Sequence, residues 1–196
     1  MRARSTFAKM FVVGIVALFP ASAFAHPMQG VGDFYAGMLH PLTAIETLLP
    51  ILALSLLAGQ QKRDNAVQLL FVFPAALLVG AVIASFRPAP SVLGLAQLVF
   101  TAILGVLVAL ARPLPAWFVS VLAAALGIAA GWSNAGDLTG DVSRFRFVAG
   151  LIVVGLLLIT YGIGVVRRLA VPWSQIAVRV VGSWIAAIGI LVLGLK

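Results

Sequence analysis

The chain reads as an all-α protein, a polytopic membrane bundle of about six transmembrane helices behind a cleaved signal peptide. Three observations lead there. The chain is 63% hydrophobic and 9% charged, with a mean hydropathy of +1.17. A soluble domain balances about half apolar against about a quarter charged residues. Six apolar runs each approach the roughly 20 residues that cross a bilayer. The first 25 residues have the layout of a secretory leader.

In that leader Arg2, Arg4 and Lys9 form a basic n-region, Phe11–Phe19 an apolar core, and Ala23-Phe24-Ala25 an A-x-A cleavage site. Cleavage there divides the chain into a signal peptide, 1–25, and one transmembrane domain, 26–196, whose first residue is His26. The orientation follows: the mature N-terminus is periplasmic and the protein resides in a bacterial inner membrane. The spans expected next are Pro41–Gly59, Ala66–Ser85, Val92–Ala111, Pro115–Trp132, Phe147–Val166 and Gln175–Leu195. Short turns join them: Gln60–Asn65, Arg87-Pro88-Ala89-Pro90, Arg112-Pro113, Ser133–Arg146 and Arg167–Ser174.

The formal charge of +8 includes the three leader cations, leaving +5 on the mature chain. The remaining cations flank apolar runs as membrane anchors do, so the bilayer accounts for them and no nucleic acid is implied. Lys62, Arg63, Arg112, Arg167 and Arg168 face inward on this topology, and Arg87, Arg144, Arg146 and Lys196 outward. Trp117 and Trp173 fall at the inner interface and Trp132 at the outer one. Arg179, just inside the last span, snorkels to the inner surface. Gly127-x-x-x-Gly131 and the glycines at 150, 155, 162, 164, 182 and 189 suit close helix packing. There are no cysteines, which removes disulfides and thiolate metal sites.

Ionisable groups inside a bilayer are expensive and usually meet a partner or a wet cavity. The two histidines, His26 and His40, both fall at the outer face. Pro41 suits the first helical position, which leaves His40 as a non-helical cap. Glu46 follows about 9 Å deeper on an ideal helix but on a different face. Pro50 has no N–H, so the Glu46 carbonyl loses its helical donor beside the carboxylate. Thr43 and Thr47 add hydroxyls on the histidine side. The fourth span ends at Asn134 and Asp137, which read either as oxygen donors three apart or as part of an ordinary turn. Gln97 and Thr101 enter the outer half of the third span at i, i+4. After cleavage the α-amine and imidazole of His26 can chelate one divalent ion, while Pro27 withholds the next amide nitrogen.

The segment Gly32–Leu49 resembles the HupE/UreJ family, hydrogenase and urease accessory membrane proteins regarded as nickel or cobalt permeases. The family pattern is approximately F-x-x-G-x-x-H-P-x-x-G-x-D-H-L-L, and Phe34, Gly37, His40, Pro41, Leu48 and Leu49 fit it. Where the family has Asp-His this chain has Glu46-Thr47. A second family pattern, near H-G-x-A-H-G-x-E, falls on Ala130–Asp137, with Ala130 and Asn134 at the histidine positions and Asp137 keeping the acid.

The resemblance implies a permease for a divalent transition-metal cation, nickel ahead of cobalt, with no tightly bound cofactor. On that reading His26 and Asp33 capture the ion, and His40, Glu46 and Asp137 coordinate it between the first and fourth spans, supplemented by Asn134. The alternative is an accessory or scaffold protein that kept the fold and lost the site, with a homo-oligomer or an accessory membrane partner left open. No phosphate-binding loop and no hydrolase motif is present, so the chain is not read as an enzyme.

Overall fold

A computed structural model describes residues 32–136, 138, 142–169 and 171–195. The leader, His26, Asp137 and Asp141 therefore lie outside the described residues. Gly32–Lys196 clusters as one compact unit.

Among the described residues seven helices follow in order: α1 Asp33–Thr43, α2 Ile45–Gln60, α3 Arg63–Phe86, α4 Val92–Leu110, α5 Ala116–Gly136, α6 Arg144–Arg168 and α7 Pro172–Gly194. The last five are each long and apolar enough to cross a membrane, and α1 with α2 passes the same test as one bent unit. The chain is thus an all-helical, multi-pass membrane protein, and the expected second to sixth spans lie on α3 to α7.

The expected first span is corrected. It is not one helix from Pro41 but two, meeting at 79° around Ala44, whose backbone is extended at φ −90° and ψ 99°. His40 is not a non-helical cap either; it lies in the last turn of α1, and Pro41 lies inside that helix. The break has a local cause. Pro41 cannot donate to the carbonyl four residues back. The Thr43 hydroxyl donates to the His40 carbonyl at 2.9 Å and to that of Leu39 at 3.3 Å, competing with the backbone for those acceptors. Ala44 then starts the next helix, its carbonyl accepting from the Thr47 and Leu48 amides at 3.0 and 2.9 Å.

The bend leaves α2 with 16 residues, about 24 Å of rise, and places it centrally. It touches every other helix of the bundle, and Ile51, Ala53, Leu54, Leu57 and Ala58 are wholly buried along it. A helix apolar on all sides is one that is enclosed on all sides. Around it, α3 packs on α5, α4 on α7, and α6 on both α1 and α2. Small residues permit these approaches. Gly127 and Gly131 of α5 meet Phe73, Ala76 and Leu77 of α3, Gly182 of α7 meets Val108 and Ala109 of α4, and Gly150 of α6 meets Phe34 and Met38 of α1. Gly164 is the exception among the expected packing glycines, with nothing within 4 Å of a built Cβ.

Helix ends are closed by side chains from neighbours. The α4 helix stops at Ala111, which is left-handed at φ 50°, just before Arg112-Pro113. Pro113 has no N–H for the Ala109 carbonyl, and the Arg179 Nε supplies one at 2.9 Å. Arg179 therefore has a structural partner at the end of α4. At the same end of the bundle Gln61, buried between turns, accepts from the Leu114 amide at 2.8 Å through Oε1. Its own carbonyl accepts from Arg167 Nη2 at 3.3 Å. Trp117 and Trp173 lie at this end and Trp132 at the other, where its indole donates to the Arg87 carbonyl at 3.1 Å.

An alanine held left-handed carries about 1–2 kcal/mol of strain, against roughly 0.5–1 kcal/mol for glycine's greater loss of backbone freedom. Ala111→Gly is expected to raise stability by about 0.5–1 kcal/mol, read as a higher unfolding midpoint in detergent.

Candidate functional site

The end of the bundle that carries α1 also holds a cluster of buried polar side chains, Thr47, Gln97, Thr101 and Asn134. Because α1 turns away at Ala44, the first turn of α2 sits between α4 and α5, and Thr47 is buried there at 3% exposure. Gln97 reaches it from α4 and Asn134 from α5, both also buried. The Thr47 hydroxyl donates to Gln97 Oε1 at 3.3 Å. Asn134 Nδ2 donates back to that hydroxyl at 3.5 Å and to the Ala130 carbonyl at 2.7 Å. Thr101 completes the group, its hydroxyl donating to the Gln97 carbonyl at 2.8 Å.

Two atoms of this cluster are buried with no hydrogen-bond partner: Gln97 Nε2, a donor, and Asn134 Oδ1, an acceptor. Each such orphan costs about 1–3 kcal/mol, so an additional polar group that paired with it would be held favourably there. The cluster is shallow. Gln97 is the sixth residue of α4 and Asn134 the third from the end of α5, so both lie within about 8 Å of the helix ends.

The charged candidates stand around this cluster and not in it. Glu46 immediately precedes Thr47 but is exposed; the structure brings Thr47, rather than the carboxylate, to Asn134. His40 is half-buried, with its ring edge-on to Phe147 of α6 at 5.7 Å between centroids. Asp33 Oδ2 accepts from the Ser143 amide at 3.1 Å, which stabilises the start of α6 because a carboxylate favours a helix N-terminus. Thr43 stays with its own helix and does not share a face with Thr47. Reading Asn134 as part of an ordinary turn is also corrected, since α5 continues through it to Gly136. Among the described residues no group of three or more His, Cys, Asp or Glu side chains is placed to hold a metal ion.

Thr47 is the residue that spacing misassigned, because a continuous helix would have placed it with His40. The better signal was the pair Gln97 and Thr101 at i, i+4 inside an apolar run, where a glutamine requires a buried polar partner.

No curated protein matches the chain, and no solved structure matches it. The family described as HupE / UreJ protein matches residues 13–192, nearly the whole length. The match covers α1 to α6 and nearly all of α7, including all three helices that build the buried polar cluster, and the chain belongs to the HupE/UreJ family.

Proposed function

We propose that this chain is an inner-membrane permease for a divalent transition-metal cation, nickel ahead of cobalt, carried as cargo. The family supports a nickel- or cobalt-related membrane role, either transport or accessory. The observation favouring passage is the polar seam of Thr47, Gln97 and Asn134, buried between three spans with unpartnered amide atoms. The path enters at the α1–α2 bend past His40 and Glu46, with His26 and Asp33 as capture groups on the periplasmic side. Asp137, three residues after Asn134, adds a carboxylate. Rotating the Gln97 amide exchanges its donor and acceptor, so the seam can present two carbonyl oxygens to an entering ion. Oxygen donors bind such ions less tightly than imidazole, which suits a site that must release its cargo.

The proposal is tested by nickel uptake into liposomes. Removing one carboxylate contact, at the scale of a charged hydrogen bond of about 1.5–3 kcal/mol, lowers uptake by Glu46→Gln roughly tenfold or more. Unchanged uptake removes Glu46 from the path. A second reading has its own observation. Thr47 and Asn134 stand where the family pattern has histidines, and they bond to each other, as a packing contact in a non-transporting accessory protein would. Calorimetric nickel binding by purified protein separates the two readings: a site weakened by His40→Ala supports the permease, and no binding by the wild type supports the accessory role.

A further inference from the structure

At the end of the bundle opposite α1, an open cavity of about 180 Å³ lies between α3 and α6, lined by Arg63, Ala66, Val67, Leu70, Ile163 and Arg167. The lining is two facing helical stripes. On α3 the positions recur at i, i+3, i+4 and i+7, and on α6 at i and i+4. Both stripes run in the same sense: an arginine at the rim, then apolar side chains up to about 10 Å further in. This is the polarity of a phospholipid, charged at the interface and apolar below it.

Arg63 is the first residue of α3, where the helix dipole and free amides add positive potential. Arg167 is held by its bond to the Gln61 carbonyl, which leaves further N–H donors of its guanidinium for a ligand. Asp64 follows Arg63 on the same helix but does not line the cavity. Neither arginine forms an ion pair among the described residues. Two uncompensated guanidinium groups above an apolar floor match a phosphodiester, which accepts forked arginine contacts, with acyl chains against Val67 and Leu70. Inorganic phosphate would satisfy the arginines but leave that floor uncovered.

We propose that this cavity binds the headgroup of one anionic phospholipid, with its phosphate between Arg63 and Arg167 and its chains along the groove between α3 and α6. Basic residues near an anionic membrane surface contribute about fivefold in affinity each.

Native mass spectrometry of the full chain, titrated with phosphatidylglycerol or phosphatidylcholine, tests this. The wild type is expected to retain one phosphatidylglycerol roughly 25-fold more strongly than Arg63→Gln/Arg167→Gln, with phosphatidylcholine weak in both. Arg63→Gln alone keeps the Arg167–Gln61 contact and should lose about fivefold, whereas Lys62→Gln, outside the cavity, should lose little. Equal retention of phosphatidylglycerol by the wild type and both arginine variants overturns the proposal. Equal retention of the two lipids by the wild type also overturns it, as does displacement of the lipid by millimolar inorganic phosphate.

Discussion

Thr47→Val/Gln97→Leu/Asn134→Leu is expected to fold as well as the wild type and to lose nickel uptake by at least about tenfold. The two halves of that result come from the same contacts. Thr47, Gln97 and Asn134 share the Thr47 hydroxyl across α2, α4 and α5, so removing Thr47 strands Gln97, while Asn134 keeps its bond to the Ala130 carbonyl. Thr47→Val alone leaves the Gln97 amide with neither of its polar atoms paired, at a cost of about 1–3 kcal/mol. Replacing all three by apolar groups of similar shape removes the orphans together and brings stability back to within about 1 kcal/mol of the wild type. Thermal unfolding in detergent reads the first effect, and liposome uptake the second. A stable triple variant that transports at the wild-type rate would exclude the seam from the ion path. A Thr47→Val variant no less stable than the wild type would show that these contacts carry no folding energy.

Gly131→Ala is expected to destabilise the bundle by about 1–3 kcal/mol, and Gly131→Leu by more. A methyl built at Gly131 runs into the Leu77 carbonyl oxygen and lies 3.0 Å from the Ala81 amide nitrogen. Those atoms belong to the α3 backbone and cannot rotate away as a side-chain tip would. The helices must separate, and the wall of the core formed by Phe73, Leu77 and Leu126 opens with them. Gly164 supplies the control. A Cβ there meets nothing within 4 Å, and alanine is the better helix former by roughly 0.5–1 kcal/mol. Gly164→Ala is therefore expected to be neutral or stabilising in the same unfolding measurement. A loss at Gly164 equal to that at Gly131 would mean that close approach of the helices does not govern these glycines.

Hydropathy alone was sufficient for the helical membrane class and for the spans from α3 to α7, because a bilayer rewards length and apolarity and both are written locally. Proline and arginine punctuation located the turns for the same reason. The family was legible too, since Phe34, Gly37, His40 and Pro41 fall within one short segment of the chain. The bend at Ala44 was not. Pro41 reads equally well as the first residue of a helix and as one inside its last turn, and the choice depended on Thr43 binding back to its own helix and on α1 lying against α6. That bend then decided which neighbour of residue 46 enters the core. Thr47 meets Gln97 and Asn134 across separations of 50 and 87 residues, and the Arg63–Arg167 cavity likewise joins helices distant in sequence. Contacts of that range depend on how the helices are packed and rotated, information that local periodicity does not carry.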